Sequence, residues 1–96
     1  MDGVCPLAGA KPVTFKIDPL APEPVLAIDA RGTALRVWWP TGFLPGTAAD
    51  PVVRDQAGQV VVYNGKRLAI PKDGFPKLHG YSVCFGDGIY VLLDGP

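Results

Sequence analysis

Glycine and proline interrupt this sequence so often that a helix of ordinary length has no room. The chain of 96 residues contains 12 Gly and 11 Pro, and the longest stretches free of both are seven residues, 25–31 and 33–39. Proline in a helix interior costs about 3 kcal/mol and glycine about 1 kcal/mol, whereas an average helix needs about 11 residues. We therefore expect no helix beyond one short turn around residues 48–50.

The segments between these breakers predict short β-strands, because they are rich in β-branched and aromatic residues. They are residues 13–17, 25–28, 34–39, 52–54, 59–63, 66–70, 80–85 and 89–93. The Asn64-Gly65 pair predicts a type I′ hairpin, and residues 86–88 predict a second tight connection.

Many short strands joined by turn residues are typical of a small closed barrel or a sandwich. We expect an all-β fold, an OB-like or SH3-like barrel, closed or partly open, of five to six main antiparallel strands, with a sandwich as the alternative. Residues 1–96 are expected to form one domain, with residues 1–12 as an N-terminal arm.

The charge pattern argues against a polyanionic partner. The chain has nine basic and nine acidic side chains and zero net charge, and both signs are spread over both halves. Nucleic-acid binding depends on clustered Lys and Arg, so we expect no nucleic-acid partner. No apolar run approaches the roughly 18–20 residues that cross a bilayer, so no transmembrane segment is predicted.

No motif for catalysis or metal binding stands out. Two Cys and one His are too few for a usual zinc site, and we expect no metal and no cofactor. His79 is expected to be a solvated or hydrogen-bonded side chain. As a general base it would need a partner such as Asp73, Ser82, Cys84 or Asp87, and no spacing selects one. We expect a protein that is not an enzyme.

Four of the eight aspartates precede or occupy turns, namely Asp29, Asp55, Asp73 and Asp87. Aspartate caps turns with its own side chain and tolerates left-handed backbone. Turn formation therefore accounts for these carboxylates without a catalytic pair.

The two cysteines leave two alternatives open. Cys5 and Cys84 could form a disulfide that pins the N-terminus to the barrel, or they could be unrelated thiols. A disulfide would indicate an oxidising compartment and an exported or envelope protein. Free thiols would favour a cytoplasmic or virion location. No signal peptide is visible at the N-terminus, which either is native or has replaced an export signal.

An aromatic cluster is the main binding candidate. Trp38 and Trp39 are adjacent on a predicted strand, so their side chains point to opposite faces. Trp38 shares its face with Arg36, which favours Trp38 as the outer ring. The hypothetical binding patch is Arg36, Trp38, Phe43 and Leu44, since outward aromatic residues are typical of protein interfaces. The alternative is that the barrel buries both indole rings.

Several segments resemble a group of small actinobacterial exported, lipoprotein-type β-barrel domains. Residues 37–43 (VWWPTGF) are similar to the Trp-Pro-x-Gly-Phe segment of that group, and residues 54–62 (RDQAGQVVV) to its Arg-Asp-x-x-Gly-x-Val-Val hairpin. Residues 65–70 and 84–92 are similar to its later strands. The resemblance covers about residues 25–93 and implies an exported, often lipid-anchored, OB-like barrel. The chain departs from the group in lacking a cysteine in residues 25–28 and a lipobox before Cys5.

These observations favour a non-enzymatic protein-interaction or structural module, either envelope-associated or an accessory subunit of a larger assembly. A protein partner or self-assembly is expected. Two alternatives stay open: a virion structural subunit, and a binder of a small apolar ligand in the barrel mouth.

Overall fold

The computed structural model describes residues 11–72 and 76–93, and within them the protein is all-β with no helix. The all-β prediction is therefore confirmed. Residues 48–49 form a turn that is not helical. The described strands are β1 Val13–Ile17, β2 Val25–Asp29, β3 Ala34–Trp38, β4 Leu44–Thr47, β5 Asp50–Arg54, β6 Val60–Tyr63, β7 Arg67–Leu68, β8 Lys77–Leu78, β9 Tyr81–Phe85 and β10 Ile89–Val91.

Seven of these strands form a main sheet that is nearly closed into a barrel. Its strand order is β7-β1-β2-β3-β10-β9-β8. Its strand pairs are antiparallel except β3–β10, where a parallel register sets Val37 beside Ile89 and Trp38 beside Tyr90. The parallel pair departs from the antiparallel expectation. Between β3 and β10 the chain forms the three-stranded sheet and then β7, β8 and β9, so β10 reaches β3 through a long connection and not through a hairpin.

That second sheet has the order β4-β5-β6 and packs against the main sheet. Its register shifts between Pro45 and Thr47 and again between Val53 and Arg54. Such irregularities bend a strand and increase its twist. As a result Val52 and Val53, which are adjacent in sequence, are both buried.

The predicted type I′ hairpin at Asn64-Gly65 is wrong. These residues do form a turn, in which the Lys66 amide donates to the Tyr63 carbonyl at 3.0 Å. Only Gly65 has a positive φ, +93°, whereas type I′ needs positive φ at both central positions. The strands on either side pair with different neighbours, because β1 captures the turn: the Asn64 Oδ1 accepts from the Ile17 amide at 2.9 Å.

A two-residue hairpin of the type I′ kind lies instead at His79-Gly80, between β8 and β9. His79 has φ +50° and Gly80 has φ +87°, and Leu78 pairs with Tyr81. Histidine is one of the few non-glycine residues that adopt this conformation with any frequency. The backbone role of His79 thus lies in the turn itself.

Two turns share one sequence pattern, Asp-x-x-Gly-x, and one geometry. Asp29 Oδ1 accepts from the amides two and four residues later, each at 2.9 Å. Asp55 Oδ1 does the same at 3.0 and 2.9 Å. The glycine of each turn, Gly32 or Gly58, has φ +83°. The turn role predicted for these two aspartates is confirmed, while Asp73 lies outside the described residues.

The core lies between the main sheet and the three-stranded sheet. Its most deeply buried side chains include Phe15, Leu78, Ile89, Val53 and Val62. Within the described residues, no buried side-chain nitrogen or oxygen lacks a hydrogen-bond partner. The same part of the chain contains no helix long and apolar enough to cross a bilayer. Most of the predicted N-terminal arm, residues 1–10, lies outside it.

Candidate functional site

The structure does not bring the four residues of the predicted patch together: Arg36 and Trp38 lie on β3, Phe43 precedes β4 and Leu44 begins β4. Arg36 and Trp38 lie on the outer face of the main sheet, as the alternation along the strand predicts. Trp38 stacks on Tyr90 of β10, with ring centroids 4.5 Å apart and planes 6° apart. The Arg36 guanidinium also lies over the indole, with its central carbon 5.7 Å from the ring centroid. We refer to Arg36, Trp38 and Tyr90 as the outer stack.

The outer stack is largely closed upon itself. Tyr90 covers one face of the Trp38 ring, and the edge of the indole lies against the backbone at Gly88, where a Cβ would be 2.9 Å from Trp38 Cη2. The Tyr90 hydroxyl donates to Asp87 Oδ1 at 2.8 Å, which raises the pKa of Tyr90 above its ordinary value of 10.0. Both rings are half-buried. Little ring surface is left for a ligand to stack on.

Phe43 and Leu44 lie elsewhere. Phe43 is 8 % exposed and belongs to the core. It stacks on Trp39 at 5.9 Å and meets Tyr81 edge-on at 5.1 Å. Leu44, the next residue along the chain, is 67 % exposed. The structure therefore brings Phe43 together with Trp39 rather than with Trp38.

A tight turn sets the position of Phe43. The Phe43 amide donates to the Pro40 carbonyl at 3.3 Å, and Gly42 between them has φ +93°. The side-chain Nε2 of Gln56 donates to the Thr41 carbonyl, and the rest of the Gln56 side chain lies against Gly42. This turn reverses the chain directly after Trp39, and the reversal places the two aromatic rings side by side.

These rings line a cleft of about 150 Å³ between the two sheets, which we call the inter-sheet cleft. Val25 and Val37 contribute its wall from the main sheet, and Val53 contributes from β5. The complete lining is Glu23, Pro24, Val25, Val37, Trp39, Phe43, Pro45 and Val53. Such a volume resembles cavities that accept a single six-membered ring, so the cleft fits one apolar side chain.

The rim of the cleft carries one ion pair. Glu23 is the only ionisable residue of the lining, and its carboxylate accepts from the Arg36 guanidinium. Both side chains are about half exposed, so the pair adds little to stability. The described lining pairs its one charge and is otherwise apolar, so the cleft is suited to binding an apolar group.

Of the residues considered for catalysis, the structure describes His79, Ser82, Cys84 and Asp87, whereas Asp73 lies outside the described residues. His79 is exposed, and its Nε2 lies 3.1 Å from Gln59 Oε1. Ser82 Oγ accepts from Lys77 Nζ at 2.7 Å. Cys84 is 1 % exposed; Cys5 lies outside the described residues, so the disulfide between them stays a prediction. Among the described residues, no group of three His, Cys, Asp or Glu side chains could hold a metal ion.

Asp55 has a structural environment rather than a catalytic one. Its Oδ2 accepts from the Tyr81 hydroxyl at 2.8 Å, while its Oδ1 accepts two turn amides. These donors, the Tyr81 hydroxyl first among them, lower the pKa of Asp55 below its ordinary value of 3.8. The pKa of Asp29 is also lowered, mainly by the hydrogen bond from the Thr33 amide. Lys11 lowers it further, with its Nζ 3.1 Å from Asp29 Oδ2.

A wider groove of about 280 Å³ lies along Arg67, Leu68, Ala69 and Ile70, beside Pro12. Its described lining contains no aromatic ring. The inter-sheet cleft is therefore the better-defined site.

Sequence reasoning did not identify Trp39, Glu23 or Pro45 as site residues. The strand alternation does place Trp39 on the inner face with Val37, which was a usable signal. The approach of Pro45 and Glu23 to that ring depends on packing between two sheets. Comparison of the chain with protein-family models, with curated proteins and with solved structures finds no match.

Proposed function

We propose that this domain is a protein-interaction module whose inter-sheet cleft takes an apolar side chain from a partner segment. The observation that supports this most directly is the cleft itself: an apolar opening lined by Trp39 and Phe43 and bordered by the exposed Leu44. Interfaces are anchored by side chains that fill such desolvated pockets, and aromatic residues are enriched among the anchors. Of the predicted patch, Phe43 lines the cleft, Leu44 borders it, and Arg36 pairs with Glu23 at its rim.

The small size of the cleft favours a partner segment over a free ligand. Typical ligand pockets enclose about 300–1,000 Å³, well above the volume found here. A segment can anchor one side chain in the cleft and spread the rest of its contacts over Leu44 and the neighbouring surface. The second candidate is a small apolar ligand about the size of one six-membered ring, which this volume accommodates. Such a ligand would bind without any contribution from Leu44.

Selection of displayed peptides against the wild-type protein tests the proposal, with two cleft variants used for counter-screening. Pro45→Glu places a charge at the cleft from an exposed position, and Leu44→Asp charges its border. Pro71→Glu and Leu93→Asp are the matched controls, since both residues are exposed and absent from the lining.

The enriched peptides are expected to share one large apolar residue. Their affinity should fall at least about tenfold for the two cleft variants, which corresponds to about 1.4 kcal/mol, and should be unchanged for the controls. Equal binding to all five proteins would contradict the proposal. Loss of affinity with Pro45→Glu but not with Leu44→Asp would favour the small-ligand alternative.

A further inference from the structure

One loop holds a large apolar side chain out into solvent. Leu20 is 83 % exposed, the highest value among the large apolar side chains in the described part of the chain. Ordinary surface leucines can fold back against the protein, and a side chain so fully exposed buries almost no apolar area. Leu20 therefore offers almost its whole side chain to a partner.

Hydrogen bonds and prolines fix the loop that carries Leu20. The Asp18 amide donates to the Pro24 carbonyl at 2.8 Å and closes the loop at its base. The Ala21 amide donates to the Asp18 carbonyl at 3.0 Å, and the Leu20 amide donates to Asp18 Oδ1 at 3.2 Å. Residues 19, 22 and 24 are prolines, which restrict the unbound backbone. Leu20 is thus presented from a preorganised turn, so binding would cost little additional ordering.

The same loop ends at the inter-sheet cleft. Glu23 and Pro24 belong to the cleft lining, and Leu20 precedes Glu23 by only three residues in the same closed loop. A twofold axis that passes between Leu20 and the cleft places Leu20 of each copy against the cleft of the other, as a self-complementary interface requires.

Charge does not oppose contact between two copies. The chain has zero formal net charge, a condition that promotes association. At the rim of the cleft, Glu23 and Arg36 neutralise each other. Two rims can therefore approach without repulsion between like charges.

From these observations we propose that the partner is a second copy of this chain, and that Leu20 of each copy inserts into the inter-sheet cleft of the other. The proposal rests on the function proposed above and specifies its partner. Only one side chain is exchanged in each direction, so the buried area is small. Small interfaces form weak, transient complexes, and we expect a dimer that assembles at high concentration.

Sedimentation velocity of the full chain over about 10 µM to 1 mM, the range in which small interfaces associate, tests the proposal. The wild type should shift from the 10.1 kDa monomer toward twice that mass. Leu20→Asp and Pro45→Glu should each weaken the dimer at least about a hundredfold, because a twofold interface loses each contact twice. Leu93→Asp, at a leucine that is 49 % exposed, should associate like the wild type.

Mixing the two variants provides a sharper test. Leu20→Asp retains an intact cleft and Pro45→Glu retains Leu20, so a mixed dimer recovers one of the two contacts. Dye-labelled Leu20→Asp at trace concentration should sediment faster in excess Pro45→Glu than in excess unlabelled Leu20→Asp. Thermal unfolding of each variant checks that the fold is retained.

A wild type that stays monomeric throughout the series would overturn the proposal, and so would dimerisation that Leu20→Asp leaves unchanged. The peptide selection described above separates this failure from that of the proposed function. If selected peptides still depend on Pro45 and Leu44, the cleft binds a different protein and only the self-association is refuted. If they do not, both proposals are refuted.

Discussion

Replacing Gly88 by alanine tests whether the outer stack is a packed structural element. A Cβ at Gly88 would lie 2.7 Å from the Arg36 carbonyl oxygen and 2.9 Å from Trp38 Cη2. The carbonyl belongs to a paired strand and cannot rotate away, so the indole and the turn at residues 86–88 must shift. This would separate Trp38 from Tyr90.

The magnitude follows from two opposing effects. Forcing an extra carbon into a packed site costs about 1–3 kcal/mol. Alanine also restricts the unfolded chain relative to glycine, which stabilises the protein by about 0.4–1 kcal/mol. We expect Gly88→Ala to lose about 1–2 kcal/mol of the free energy of unfolding, because the overpacking effect is the larger. For a domain of this size the melting temperature should fall by roughly 10 °C.

Gly86→Ala is the matched control in the same turn. A Cβ at Gly86 would meet only Tyr90 Cε1, at an ordinary contact distance of 3.5 Å. Its melting temperature should equal or exceed that of the wild type. Thermal unfolding followed by far-UV circular dichroism measures both variants, and near-UV dichroism reports whether Trp38 and Tyr90 remain stacked. Equal stability of the two variants, with an unchanged near-UV signal, would refute the packing described here.

Three further predictions concern individual side chains. The pKa values of Asp29 and Asp55 in the folded protein lie below 3.8. The ionised carboxylates therefore stabilise the fold above that pH, and the stabilisation is lost as the pH falls through the folded pKa values. Acid unfolding curves of Asp29→Asn and Asp55→Asn should be shallower than that of the wild type. Tyr90 should ionise above its ordinary pKa of 10.0, and ultraviolet titration of Asp87→Asn should show that pKa lowered. Asn64→Ala removes the acceptor for a β1 amide and should cost about 0.5–1.5 kcal/mol in urea unfolding.

The fold class was predictable from the sequence because breaker spacing excludes helices and turn residues mark strand ends. The two Asp-x-x-Gly-x turns were also accessible, since the aspartate and the glycine act within a few residues of each other. In contrast, the hairpin at Asn64-Gly65 was wrong because β1 competes for the amides of that turn. The type I′ conformation at His79-Gly80 went unpredicted because histidine adopts it less often than asparagine does.

The candidate site was only partly predictable. Strand alternation places Trp38 outside beside Arg36, and the structure has it there. Alternation also assigns Trp39 to the inner face, but it does not indicate that a reversal at Gly42 returns Phe43 to the same ring. The outer stack likewise depends on a parallel pairing with β10, which no local pattern announces. Long-range pairings of this kind arise from the packing of the whole barrel.

Intermolecular NOEs between a selected peptide and the protein test the central claim most directly. If the inter-sheet cleft is the binding site, the apolar anchor of the peptide should show NOEs to the Trp39 indole and to the Val53 methyl groups. Dependence on the anchor is checked with the same peptide carrying alanine in its place, which should give no such cross-peaks. NOEs to the rings of Trp38 and Tyr90 instead, with none to Trp39, would contradict the account and place binding on the outer face of the sheet.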